Sequence, residues 1–295
     1  MHNHGQSKEN SSNRIGWAFF LNVTFTIIEF VGGVLTNSTA IMADAVHDLG
    51  DSLSIGSAWF LAWLSGKNAD EDFTYGYRRL SLLGAVINGL VLIVGSSWVL
   101  LQTIPRLFDP VLPNVNGMFG LAILGVLVNG FAAYKLSGGT SLNERVLNWH
   151  LLEDVLGWIA VLLVSIVLMF AEIPILDSVL AIAFTLFVLF NVIKTSSTAV
   201  KMFFQASPEK GLIKKVREQL LRLKAIESVH HEHAWSLDGQ SNVYTAHLLT
   251  GSSMSIAEQV QLKNDIAKVL EPFDFAHTTI ELEFPEEDCR DSDDG

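Results

Sequence analysis

The sequence predicts an α-helical membrane protein: six transmembrane helices followed by a small cytoplasmic α+β domain of order αββαβ. Three observations carry that expectation. Charged residues make up only 17% of the 295 residues and hydrophobic ones 49%, whereas soluble domains carry about 25% charge. Six apolar segments follow one another, each of about the 17–25 residues that cross a bilayer as a helix. After Phe204 the chain becomes charged and periodic, as in a soluble domain.

The segments are Ile15–Leu35, Ala40–Leu64, Leu80–Ile104, Met118–Leu136, Val146–Phe170 and Ile173–Ile193. The first is longer than a signal-peptide core and contains Glu29, so a retained span is expected. Pro174 separates the last two, because the residue before a proline is biased away from helix. Lys8, Arg14, Lys67, Arg78, Arg79, Lys135, Arg145, Lys194 and Lys201 fall on one set of flanks and loops, and only Arg106 on the other. The positive-inside rule then places both termini in the cytoplasm. In the soluble part, Pro208–Leu223 reads as an amphipathic helix with Leu212, Ile213, Val216, Leu220 and Leu223 on one face. Val229–Leu237 and Asn242–Leu249 read as strands joined at Asp238-Gly239. Ile256–Leu270 reads as a second helix and the alternating Thr278–Phe284 as a third strand, a helix-on-sheet arrangement. The expected layout is residues 1–14 as a cytoplasmic tail, 15–205 as the transmembrane domain, 206–284 as the αββαβ domain, and 285–295 as an acidic disordered tail.

Charge and cysteine content exclude some functions. A net charge of −12 with no long basic run makes nucleic acid an unexpected partner. Cys289 is the only cysteine, so no intrachain disulfide forms.

The chemistry lies in the second apolar segment, which contains Asp44, His47, Asp48 and Asp51. At i, i+3, i+4 and i+7 they share one helix face. An Asp at the bilayer centre costs about 2.5–3.5 kcal/mol, so this face must meet a polar interior and a cation. The fifth segment carries His150 and Asp154 at the same spacing as His47 and Asp51. Two such helices supply two nitrogens and two oxygens, a four-coordinate set suited to Zn²⁺. The two carboxylates neutralise a divalent ion, which lowers the cost of burying it. Mixed ligands argue against Mg²⁺ and Ca²⁺ but leave Zn²⁺, Cd²⁺, Co²⁺, Fe²⁺ and Mn²⁺ open. A metalloenzyme is not expected: the chain has no His-Glu-x-x-His, and four ligands close the position that water needs. Asp44 is placed to accept from a ligand imidazole. Asn22, Asn88 and Asn129 are expected to pair helices or line a wet cavity.

With these two motifs, the strings Met42-Ala-Asp-Ala-Val-His-Asp, Thr74-Tyr-Gly-Tyr-Arg-Arg, Leu83-Gly-Ala-Val-Ile-Asn88 and His233-Ala-Trp-Ser236 resemble the cation diffusion facilitator family, in its zinc-transporting branch. The resemblance runs from about Gly16 to Phe284. It implies an exporter exchanging metal for protons as a homodimer, not an enzyme, with His47, Asp51, His150 and Asp154 as the transport site. It further implies a metal site in the cytoplasmic domain at positions matching His230, His247, His277 and Glu283; the alternative is that these histidines are surface or hydrogen-bonded core residues. His231 and His233 are expected on one strand face and His230 on the other, with His233 packing beside Trp235. The segment Gly66–Arg79 lacks the histidines that bind a further metal in some members. Leu136–Arg145 lacks a histidine-rich insert, which points to a bacterial-type member in the inner membrane. No organic cofactor is expected; metal ions, protons and the bilayer are the expected partners. A metal-sensing or structural membrane protein regulated by zinc at its cytoplasmic domain is the alternative function.

Overall fold

The computed structural model describes residues 4–64, 69–137, 142–287 and 289. They form two compact units, Met1–Phe60 with Ile87–Ser196, and Leu61–Val86 with Ser197–Gly295. Lys67, much of the loop between the fourth and fifth segments, and most of the acidic tail lie outside the described residues.

Six long helices account for the apolar segments: α1 (His4–Thr36), α2 (Thr39–Leu64), α3 (Leu80–Thr103), α4 (Val115–Leu136), α5 (Leu142–Phe170) and α6 (Ile175–Phe203). Five of them contain stretches long and apolar enough to cross a membrane: Phe19–Thr36, Leu80–Leu107, Val115–Lys135, His150–Phe170 and Ile175–Phe203. The other, α2, has 26 residues, about 39 Å of helix, but carries the acidic stripe. Helix α1 starts at His4 rather than Ile15, because no proline interrupts the polar stretch before it. Helix α6 continues ten residues beyond Ile193 for the same reason.

The breaks between helices have local causes. Asn37, at φ 54°, adopts the left-handed conformation that ends α1. The Asn114 side chain accepts from the Gly117 N–H at 3.2 Å and caps α4. Inside the first unit, Phe25, Ile41, Val99, Met118, Trp158 and Ala181 belong to one buried cluster drawn from all six helices. Trp158 is fully buried, with Phe25 edge-on at 5.6 Å. Large apolar side chains such as Phe20, Val34, Leu101, Phe131, Leu156 and Phe190 face outward, the pattern of a multi-pass membrane protein whose solvent is lipid.

The second unit contains α7 (Leu212–Leu220), β1 (Ile226–Ser236), β2 (Asn242–Thr250), α8 (Ile256–Leu270) and β3 (Phe275–Glu283). The order is αββαβ, as the periodicity predicts. The sheet runs β1-β2-β3, with β1 and β2 antiparallel and β2 and β3 parallel. A parallel pair needs a crossover, and α8 supplies it. Ser255 and Glu258 form a reciprocal capping box at its start. Val216, Leu220, Tyr244, Leu248, Ile266 and Leu270 form the core between helices and sheet.

One register feature departs from the sequence reading. Strand β1 bulges between His230 and His233, with His231 at φ 47°. The extra residue breaks strict alternation, so the rings of both His230 and His231 lie beside His247, at 5.7 and 5.2 Å. His233 is exposed rather than packed into the fold.

Candidate metal sites

Helices α2 and α5 bring the two sequence motifs together. Asp51 Oδ2 lies 3.4 Å from His47 Nε2 and 3.1 Å from His150 Nε2. His150 Nε2 lies 3.6 Å from Asp154 Oδ2. One donor atom each from His47, Asp51 and His150 falls within 4.8 Å of the others, and Asp154 adjoins that group through His150. A tetrahedral Zn²⁺ with arms near 2.1 Å has ligand–ligand edges of about 3.4 Å, so the separations fit such an ion. The imidazoles cross edge to face at 5.7 Å, and Phe184 of α6 backs His47 at 5.5 Å.

Close packing fixes where α2 carries its ligands. A Cβ on Gly50 would fall 2.3 Å from Leu92, and one on Gly95 would fall 2.7 Å from Val46. Small residues thus let α2 and α3 approach closely at Val46 and Gly50, the positions just before His47 and Asp51. Asn22 of α1 donates to Ser52 Oγ at 3.1 Å and to the Asp48 carbonyl at 3.4 Å. Asn88 of α3 donates to Ser54 Oγ at 2.5 Å. Two of the three membrane asparagines therefore tie helices together, and Asn129 Nδ2 is buried without such a partner among the described residues. Asp44 is buried, but no ligand imidazole hydrogen-bonds to it among the described residues. It sits a full turn from His47, near Gly157 of α5.

A second cluster lies at the edge of the β1–β2 hairpin. His230 Nε2 is 2.9 Å from Glu283 Oε2, and His247 Nδ1 is 2.8 Å from Glu283 Oε1. The pairing of His230 with His247 and of Leu249 with Glu283 sets this geometry. Burial pushes the Glu283 carboxyl up, but hydrogen bonds from Cys289 and His247 and the charges of His230 and His247 outweigh it and hold it below the usual glutamate range. Cys289 Sγ, 3.6 Å from His247 Nδ1, joins the group, all within 4.8 Å. Two imidazoles, a carboxylate and a thiol at these separations fit Zn²⁺.

His277 is not brought to this cluster. It pairs with Val243 near the start of β3, and its ring meets Tyr75 at 5.1 Å. The resemblance to relatives carried a ligand type to a position that this sheet register places far along the strand from Glu283. Cys289 belongs to the stretch expected to be a disordered tail, yet its thiol joins the cluster. Its signal was proximity: a lone thiol six residues beyond Glu283, after a proline. A turn from Phe284 to Glu287 folds the chain back, with Glu287 N donating to the Phe284 carbonyl at 2.9 Å.

Among the described residues of the segment Gly66–Arg79, Asp70 has local partners of its own. Asp70 accepts from Tyr77 Oη at 2.6 Å and from the Phe73 N–H at 2.7 Å, so it closes a turn. Gly76, at φ 71°, sits where a side chain would be strained.

Six long helices with a histidine–carboxylate centre between two of them, and a small αββαβ unit with its own cluster, define a multi-pass membrane protein built to handle divalent metal ions. Residues 17–204 match the model of the cation efflux transmembrane domain, and residues 208–284 that of the cation efflux protein cytoplasmic domain. The chain belongs to the cation efflux family, a family of transporters rather than enzymes. It is 30% identical to a cadmium, cobalt and zinc/H(+)-K(+) antiporter of Bacillus subtilis, over 96% of this chain and 91% of that protein. It is 29% identical to the metal cation efflux system protein CzcD of Cupriavidus metallidurans, over 96% and 89% of the two chains. With the zinc transporter ZitB of Pectobacterium atrosepticum the identity is 26%, over 96% and 89%.

Proposed function

We propose that this protein exports Zn²⁺ from the cytoplasm in exchange for protons by alternating access, with His47, Asp51, His150 and Asp154 as the transport site. The convergence of His47 and His150 on the Asp51 carboxylate, at 3.4 and 3.1 Å, carries the reading. In the loaded state two nitrogens and two carboxylate oxygens surround the ion, and the site is formally neutral. Imidazole ordinarily titrates near about 6.5, so protons compete with metal around neutral pH. Metal leaves as protons enter, and rocking of helices exposes the site first to one side and then to the other. Relatives named for cadmium, cobalt and zinc support Cd²⁺ and Co²⁺ as further cargo; the donor set leaves room for Fe²⁺ and Mn²⁺.

In this reading both termini are cytoplasmic and the membrane is a bacterial inner membrane. Residues 1–14, 15–205, 206–284 and 285–295 serve as tail, transport domain, cytoplasmic domain and acidic tail. The small domain pairs with that of a second copy, as the matching model of the efflux-protein cytoplasmic domain supports. His230, His247, Glu283 and Cys289 bind a regulatory zinc there, outside the transport path. That cluster also favours the second reading, a membrane protein whose response to zinc runs through its cytoplasmic domain.

The test is zinc movement by the purified chain in liposomes carrying a zinc dye and a pH dye. Zinc flux should follow an imposed pH gradient and release protons in the opposite direction. Zinc movement indifferent to that gradient would refute the exchange, and none at all would favour the second reading.

A further inference from the structure

The α1–α2 turn is held by a carboxylate that the transport chemistry does not use. Asp177, in the first turn of α6, is almost fully buried. Its Oδ1 accepts from Ser38 Oγ at 2.5 Å and from the Ala40 N–H at 3.3 Å. Its Oδ2 accepts from the Thr39 N–H at 2.7 Å and from Thr39 Oγ1 at 2.9 Å. The first N–H groups of a helix have no intrahelical partner and carry partial positive charge. One side chain of α6 therefore caps α2, while lying at the positive end of its own helix.

The same two helices meet again lower down. Phe184 lies seven residues after Asp177 and thus on the same face of α6, and it backs His47. His47 lies eight residues after Thr39. Helices α2 and α6 are therefore registered in parallel, by Asp177 at their starts and by Phe184 at the ligand. The polar groups at the start, Ser38, Thr39 and Asp177, are sealed, whereas the side chains of His47, Asp51 and His150 are about a fifth exposed. A cavity of about 200 Å³ borders the other side of Ser38 and Thr39, against Trp98, Gln102 and Arg106.

We infer that Asp177 is a positioning residue that latches the start of α2 to α6 and thereby closes the transport path at the end of the bundle carrying the α1–α2 turn. The role assigned to the path rests on the proposed transport function; the latch itself does not. Exposing the site at this end separates α2 from α6, and the four bonds to Asp177 are those that must open. Asn at this position places an amide –NH₂ against either Ser38 and Ala40 or Thr39, whichever way it turns, so Asp177→Asn breaks one half of the latch without changing volume.

The experiment uses the full chain with Cys289→Ser, which removes its only cysteine, and Ala40→Cys as a reporter. Ala40 is buried, one turn before Asp44 on the ligand stripe. A membrane-impermeant thiol reagent is applied in turn from each side of oriented vesicles. Asp177→Asn, which loses the two bonds of one carboxylate oxygen, should speed labelling by at least about tenfold, the low end for even one hydrogen bond to a charged group, from the side of the α1–α2 turn only. Ser38→Ala, which removes one hydroxyl, should give a smaller rise from the same side; it decides the matter if Asp177→Asn does not fold. Against the same Cys289→Ser, Ala40→Cys background, Asp177→Asn should leave equilibrium zinc affinity at the transport site within about threefold, since it alters none of His47, Asp51, His150 or Asp154. Unchanged labelling in both variants, or an equal rise from both sides, would overturn the latch. Labelling needs no transport, so a chain that moves no zinc would defeat the proposed function and leave this result readable.

Discussion

Truncating His247 should remove zinc's effect on the stability of the small domain. His247 Nδ1 stands 2.8 Å from Glu283 and 3.6 Å from Cys289, so His247→Ala deletes a ligand that touches both of the others. Zinc bound only by the folded state stabilises it by RT ln(1 + [Zn]/Kd), about 2.7 kcal/mol at a hundred times Kd. For a domain of this size each kcal/mol moves Tm by about 4–8 °C, so the wild-type shift should be roughly 10–20 °C. Residues 206–295 can be melted alone, because the core cluster from Leu212 to Leu270 and the side chains packed on it lie wholly within them. The assay is a thermal melt with and without Zn²⁺, read by circular dichroism. Without metal, the lowered Glu283 carboxyl gives a further check. Its stabilisation is present above the ordinary carboxylate pKa of about 4.3 and lost as pH falls through the lower folded-state value. A zinc shift that survives His247→Ala at full size would refute the assignment of these ligands.

Cys289→Ser should leave three ligands and weaken zinc by about tenfold, roughly halving the Tm shift at a hundred times the wild-type Kd; an unchanged shift would mean the thiol stands outside the site. His47→Asp converts the transport site to one nitrogen and three oxygens, a harder and more anionic set. It should raise Cd²⁺ or Mn²⁺ flux relative to Zn²⁺, and an unchanged Zn²⁺/Cd²⁺ ratio would show that His47 does not touch the metal.

Much of the architecture was legible in the sequence because its signals are local. Apolar length marks a membrane helix whatever it packs against, and the i, i+4 spacing of His47 with Asp51 and of His150 with Asp154 requires only that α2 and α5 be helical. The αββαβ order followed from periodicity in the same way. What could not be read depends on contacts distant in sequence or on one irregular residue. The bulge at His231 brings His230 and His231 together beside His247, and nothing in a run of histidines announces it. His277 has a ligand's chemistry, but its place along β3 is set by pairing with β2. Composition describes the tail on average, whereas a single turn after Phe284 decides where the Cys289 thiol goes. The role of Asp177 was equally hidden: its partners Ser38 and Thr39 lie about 138 residues away, and it reads in isolation as an ordinary acidic residue at a helix start.

The most direct test of the transport centre is zinc flux by Asp51→Ala and Asp154→Ala in liposomes, beside the parent chain at equal protein content. Each change removes a ligand and one of the two charges that neutralise the ion. Both variants should insert normally and lose at least about a hundredfold in flux, more than the loss of a supporting partner of a metal ligand costs. Near-parental flux in either variant would contradict the assignment of these four side chains as the path of the metal.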